Sequence, residues 1–340
     1  MQKRIDFIDT AKGFCILLVV FTHANTYFHL EYELNTSLAS FRMPLYFVLS
    51  GLFFKTYSAP IFLKKKINNL LVPFFFFYLI FSVAVPNILH AFGYEGLRQS
   101  DKLGWASLTN FIFENKFSNS PIWFLLCLFF LNLYFYFIHW TVYRWCKERY
   151  RLWTIMAISV MGGVGGYMLG RAHINVWMFM DCALTALPFF CFGYILRAHT
   201  TILQPNKFDK YLWIGIVGCF AYVYFVAKPV DFVDNQFGKN TFFPLYTCGI
   251  IGTLFILFLS KKLGHLPLIS YWGRYSIIIL CLHNPVIQVT MLFFNRIPLT
   301  EGWLKIGLVL ATVMVSFLGI IPLMKRYFAK VTAQQPLLPI

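Results

Sequence analysis

Apolar runs of membrane-spanning length follow one another along the whole chain, separated by short polar breaks. A helix needs roughly 17 to 25 apolar residues to cross a bilayer. Runs of that size centre on 10–28, 40–58, 69–91, 121–142, 152–170, 177–197, 211–227, 242–260, 273–294 and 303–324. The pattern predicts an all-α, polytopic integral membrane helix bundle of about ten transmembrane helices. No linker, low-complexity tract or appended soluble domain interrupts it, so residues 1–340 read as a single membrane domain.

Composition strengthens this picture. Hydrophobic residues make up 59% of the chain and charged residues 12%, with a mean hydropathy of +0.66; ordinary soluble domains carry about a quarter charged residues. The net charge of +16 does not signal nucleic acid, because the basic residues cluster in alternate loops. With the N-terminus inside, Lys3, Arg4, Lys12, Lys55, Lys64 to Lys66, Arg144, Arg197, Lys261, Lys262, Arg274, Lys325 and Arg326 all fall on the cytoplasmic side. About 20 of the basic residues do so, which follows the positive-inside rule and puts both termini in the cytoplasm. Asp6, Asp9 and His23, and the lack of an A-x-A-like site, argue against a cleavable signal peptide. Cys15, Cys127, Cys182, Cys191, Cys248 and Cys281 lie inside spans and read as small buried hydrophobes.

Two stretches outside the spans stand out. Residues 92–120 form the longest break and read equally as an outer lid or as a solvated connector. The cluster LKKKINN, Leu63 to Asn69, follows the second span on the inner side; three lysines there suit anionic headgroups or a polyphosphorylated ligand.

Ionisable groups in hydrocarbon are costly and tend to mark a site or a pathway. The spans hold few: His23 with Asn25 just after it, Arg42, Asp181, and His283 with Asn284. Asp181 has a structural partner in prospect, Arg171 or His173. Lys12 and His23 are eleven residues apart, about 16 Å along a helix and roughly three full turns, so they share a face. Asp9 stands at i,i+3 spacing from Lys12 and suits a pair with it. A histidine of near-neutral pKa can take a proton from a hydroxyl attacking an acyl carbon. Cytoplasmic cations can hold the phosphates of a donor with a flexible arm, and acyl-CoA has that shape.

The stretch IDFIDTAKGFCILLVVFTH resembles the opening of the membrane acyltransferase 3 family, in which a basic residue, usually arginine, precedes a histidine by ten intervening residues. Lys12 and His23 occupy those places, lysine being found in the branch that resembles fucose 4-O-acetylase. FRMPLYFVLSGLFFK is similar to the family's second-helix pattern, SPIWFLLCLFF to its W-F-L motif and SYWGRYSIIILCLHNP to its late element. Two departures stand beside the agreement: Arg42 replaces a common histidine, and Lys12 lacks the planar fork of arginine.

The resemblance implies transfer of an acyl group, usually acetyl, from cytoplasmic acetyl-CoA or another acyl-CoA to a hydroxyl of a glycan or lipid-linked saccharide. It implies a multi-pass protein of the bacterial inner membrane, in contact with membrane lipids and without nucleic acid or metal. His23 would act as base or acyl relay and Lys12 would orient the donor, held by Asp9. Arg42, Asn25 or Ser50 would stabilise the oxyanion. Lys64, Lys65, Lys66 and Arg274 would bind the donor's phosphates. Trp123, Trp105 and Tyr27 are candidates for an aromatic platform under a sugar, and His283 and Asn284 would join Asn25 and Ser50 among the acceptor-binding residues. A homo-oligomer stays open. The competing reading is a proton-coupled transporter or flippase whose pathway runs through His23, Arg42 and Asp181, with GGVGGY, Gly162 to Tyr167, interrupting the fifth span. A third is a catalytically inactive relative that assists polysaccharide assembly, against which the retained Lys12 and His23 argue.

Overall fold

The computed structural model describes residues 6–28, 32–93, 111–115, 117, 119–200, 202–238, 241–294 and 302–339. The described helices are α1 (Asp6–Asn25), α2 (Tyr32–Leu52), α3 (Ala59–Ala91), α4 (Trp123–Trp145), α5 (Glu148–Arg171), α6 (Met180–Ala198), α7 (Leu212–Val226), α8 (Phe242–Leu263), α9 (Pro267–Arg274), α10 (Ser276–Phe294) and α11 (Gly302–Tyr327). Nine of these, all except α2 and α9, are long and apolar enough to cross a membrane. The chain is an all-α, multi-pass membrane bundle.

Helix α2 is long enough to be the tenth span at 21 residues, yet it begins and ends earlier than the apolar run 40–58 suggests. Its first half carries Ser37, Ser40 and Arg42, and this polarity is tolerated because α2 lies inside the bundle against α1, α6, α7 and α8. Helix α1 is the other axis of the bundle, touching α2, α8, α9, α10 and α11.

These central crossings are close. A Cβ added to Gly51 on α2 would overlap the carbonyl of Phe190 on α6, and one on Gly193 of α6 would overlap the carbonyl of Val48. The two backbones therefore meet through small residues, the usual device where no hydrophobic drive separates helix from lipid. Gly13 on α1 and Gly273 on α9 form a second such contact, against Ile269 and Asp9. Thr10 staples it: its hydroxyl donates to the Gly264 carbonyl at 2.8 Å and lies 2.8 Å from Ser270 Oγ.

The glycines of GGVGGY do not interrupt α5, which is continuous from Glu148 to Arg171. Gly163 and Gly166 instead face Pro188 and Thr185 on α6, so this stretch is a packing stripe and no broken transporter helix. Helix α3 is the irregular one. It widens into π turns at Ile67–Leu71 and Leu79–Ala84, directly before Pro73 and Pro86. Each proline ring would clash with a carbonyl four residues back, and the wider turn makes room.

On the outer side, the α7–α8 connection tucks Phe232 and Phe237 into the bundle. Phe232 meets Phe47 and Phe189, and Asn235 donates to the Gly166 carbonyl at 3.0 Å. Most of the expected lid, including Trp105, lies outside the described residues. Phe111 and Phe117 of the same segment pack on Phe74 and Tyr78 of α3.

Replacing Gly193 by valine is expected to cost about 1–3 kcal/mol through overpacking. Alanine at Gly165, where a Cβ meets nothing, is expected to leave stability unchanged. Thermal unfolding of the two variants in one detergent checks the contrast.

Candidate active site

Helix α1 sets the geometry. Near its inner end, Lys12 Nζ lies 4.3 Å from the centroid of the Phe53 ring, just beyond the inner end of α2. Eleven residues on, about 16 Å towards the outer side, the ring of His23 stands 5.0 Å from that of His283 on α10, at an interplanar angle of 56°. The chain thus brings together two imidazoles 260 residues apart in sequence.

His283 is fully buried. Its Nδ1 lies 2.9 Å from the Ile279 carbonyl one turn back. A carbonyl oxygen only accepts, so Nδ1 carries the hydrogen and, in the neutral ring, Nε2 holds the lone pair. Nε2 is buried and has no hydrogen-bond partner. The local sequence thus presents a basic nitrogen of defined tautomer to the interior.

Arg42 joins this pair from α2. Its side chain leans towards the start of its own helix, as helical side chains do, which is the outer side, and it interacts electrostatically with His23 and with Asp231 of the outer connection. Its Nη1 is buried and unpartnered. One turn further in, Tyr46 Oη faces Cys15 and Ser276 without a well-formed hydrogen bond, and Trp272 Nε1 on α9 is likewise buried and unpaired. The Cys15 thiol donates to the Arg42 carbonyl at 3.4 Å and ties α1 to α2 at this level. These four unpaired atoms lie on helices packed on α1, while others, such as Asn132 Oδ1 on α4 and Ser159 Oγ on α5, lie elsewhere in the bundle. Leaving a buried polar group unsatisfied costs about 1–3 kcal/mol, so each of these atoms suits a polar ligand group or a bound water.

The other expected site residues divide. Asn25 is buried at the outer end of α1 and Asn284 is half-buried on α10 beside His283, though consecutive helical residues point about 100° apart. Ser50 does not join the imidazoles: it lies eight residues beyond Arg42, about 12 Å towards the inner side, at the level of Phe53 and Lys12. Trp123 is no open platform, because it is buried against Phe124 and Phe179; Tyr27, at the outer end, is exposed. Asp9 is half-buried on the inner turn of α1, against α9, and Arg274 is exposed at the end of α9. Lys65 and Lys66 lie over the rings of Tyr57 and Phe62, while Lys64 is exposed. Asp181 accepts from the Val176 backbone N–H at 3.3 Å near the start of α6, a local tie in place of the pair expected with Arg171 or His173. Arg171 instead donates to the Gly238 carbonyl at 2.8 Å. Among the described residues no three His, Cys, Asp or Glu side chains converge as a metal site would require.

Asn119 is the residue that the sequence pattern hid. Pro285 has no N–H, so within α10 the carbonyl of Cys281 loses its partner four residues on. Asn119 Nδ2 supplies the missing donor at 2.9 Å, and its own Oδ1 is left buried and unpaired. The signal was the proline directly after His283 and Asn284: a proline inside a span implies a donor from elsewhere. Asn119→Ala is expected to destabilise the fold by about 1–3 kcal/mol. Because Pro285→Ala restores a helical N–H to Cys281, the double variant should lose less than Asn119→Ala does in an otherwise wild-type chain. Thermal unfolding of both singles and the double tests this coupling.

A family model described as an acyltransferase domain, Acyl_transf_3, matches residues 5–325. No curated protein and no solved structure matches the chain.

Proposed function

Because the chain belongs to the Acyl_transf_3 family of membrane acyltransferases, we propose that it moves a short acyl group, in the first instance acetyl, from cytoplasmic acyl-CoA to a glycan hydroxyl at the outer face of a bacterial inner membrane. Lysine at position 12 supports placing it in the branch that resembles fucose 4-O-acetylase. The observation that carries the reading is the contact of His23 with His283, beside unpartnered buried polar atoms of α2 and α10, with His23 on the same helix that bears Lys12 near its inner end.

In this mechanism the acyl thioester rises from the inner side past Lys12 and reaches the imidazoles. The acceptor hydroxyl enters from the outer side, near Tyr27 and Asn25. Its oxygen attacks the thioester carbon as His23 takes its proton. The lone pair on His283 Nε2 steadies the His23 imidazolium as it forms, the role a hydrogen-bonding partner plays for a catalytic histidine. Arg42 Nη1 meets the oxyanion. Collapse of the tetrahedral species breaks the carbon–sulfur bond, and the proton held by His23 passes to the departing thiolate. The products are an ester and free CoA.

Three variants separate these roles. His23→Ala is expected to bind acetyl-CoA yet lose transfer by about 10²–10⁴-fold, the usual worth of a general base. Arg42→Ala is expected to lower kcat by about 10²–10³-fold, as for an oxyanion donor. His283→Gln should fall between wild type and His23→Ala and shift the acidic limb of the pH–rate profile. The measurement is release of free CoA from acetyl-CoA on adding glycan acceptors to the detergent-purified proteins, with thermal shift to establish folding. Full transfer by a folded His23→Ala protein would sink the mechanism.

A further inference from the structure

The inner end of the bundle holds a cleft that the Lys64–Lys66 cluster borders through Lys65. The turn after α2, Phe53 to Ser58, crosses the inner ends of α4 and α6 and leaves a cavity of about 570 Å³ whose walls include Lys55, His139, Tyr143, Tyr194 and Arg197. A second lobe of about 360 Å³ shares Thr56, Tyr57, His139 and Tyr143 and adds Arg144. We propose that this cleft is the dock for the 3′-phosphoadenosine diphosphate end of acyl-CoA. The proposal rests on the acyl-CoA reading above and adds to it the place where the nucleotide is recognised.

Three features of the cleft suit that ligand and select against others. Its lining is rich in aromatic rings. His139 stacks on Tyr143 with centroids 4.0 Å apart and planes within 15°, and the Tyr143 and Tyr194 hydroxyls meet at 3.4 Å. Rings held in place in this way give a purine a flat surface at little cost in ordering. The charges are all of one sign: Lys55, Arg144 and Arg197 line the two lobes, with no carboxylate among the described lining residues. At its margins Lys65 lies over the Tyr57 ring and Arg151 over the Tyr143 ring, at 3.7 and 4.7 Å. Arginine forks and lysine ammoniums set around a ring cluster match a base that carries several phosphates.

The third feature is where the cleft leads. Phe53 forms part of its wall and carries Lys12 on its ring. A donor seated by its nucleotide would therefore pass its diphosphate and arm directly to Lys12, at the foot of the climb to His23. The pantetheine arm, two amides joined by short alkyl segments, is uncharged and flexible enough to follow α1. The exposed Lys64 and Arg274 have no such aromatic enclosure in these contacts.

Titration calorimetry on the full chain in detergent tests the proposal, with CoA and dephospho-CoA as probes and with wild type, Arg197→Gln, Tyr143→Ala and the milder Tyr143→Phe. Wild type is expected to bind CoA more tightly than dephospho-CoA. Arg197→Gln and Tyr143→Ala should each weaken CoA binding by at least about tenfold, as expected for loss of a charge-assisted phosphate contact or a stacking surface, while Tyr143→Phe, which keeps the ring, stays near wild type. With S-acetyl-pantetheine, a donor that lacks the nucleotide, the penalty of these substitutions should disappear.

Unchanged CoA affinity in folded Arg197→Gln and Tyr143→Ala overturns the dock and leaves the acyltransferase reading intact. So does an equal penalty with S-acetyl-pantetheine, since the substitutions would then act on the reaction centre. Relief of the Arg197→Gln defect on removing anionic lipid from the micelle would assign the cleft to a lipid headgroup and likewise overturn it. Folded wild type that binds no CoA overturns the dock and the acyl-CoA reading together.

Discussion

A polar atom sealed in a hydrocarbon-clad bundle without a partner is a standing free-energy cost, and the architecture of this protein is organised around several of them. Arg42 Nη1, Tyr46 Oη, Trp272 Nε1 and His283 Nε2 are all buried and unpaired, and all belong to helices packed directly on α1. Several other buried polar groups of the bundle are provided for. Tyr246 Oη bonds the Thr185 carbonyl, Asn235 the Gly166 carbonyl and Lys261 three oxygens at once. Unpaired atoms also occur away from α1, as at Asn132 on α4 and Ser159 on α5, so what sets this group apart is its company: an imidazole pair and a buried guanidinium on helices that share one neighbour.

Holding those atoms in place requires a rigid frame, and the frame is made of backbone contacts. Gly51 and Gly193 let α2 and α6 approach until carbonyls replace side chains as neighbours. Gly13, Gly273 and the Thr10 staple do the same for α1 and α9. With these crossings fixed, Arg42 and His283 are fixed relative to His23. Pro285 adds a local device: by removing an N–H it draws Asn119, and with it the entry to α4, against the helix that bears His283.

Nearly all of the architecture was legible in hydropathy, because a spanning helix must satisfy its backbone internally and clothe itself in apolar side chains. The exception proves the mechanism: the bounds of α2 were misplaced because a helix shielded by four others need not be apolar throughout. Lys12 and His23 could be put on one face from helix periodicity alone, since both lie on a single unbroken helix. The pairing of His23 with His283 could not, because nothing local connects residues 260 positions apart. Motifs give no depth within the bundle, and depth places Ser50 at the level of Lys12, away from the imidazoles, while burial covers the ring of Trp123. The glycines of α5 looked like a break when they are a packing stripe, because sequence does not show the partner helix that makes a small residue useful.

The vertical order of charges along α1 gives the proposed reaction its direction. A nucleotide with several negative charges cannot enter hydrocarbon at tolerable cost, and a sugar with its hydroxyls desolvated is nearly as poor a guest. With cations at the inner end and the imidazole pair in the outer half, neither has to cross. In the proposed reaction only the acyl group and its neutral arm would travel the roughly 16 Å between Lys12 and His23, and the acceptor would descend no further than the outer turns of α1 and α10. On this proposal the bundle would bring the least polar part of each reactant to the other, joining two compartments without either polar group crossing.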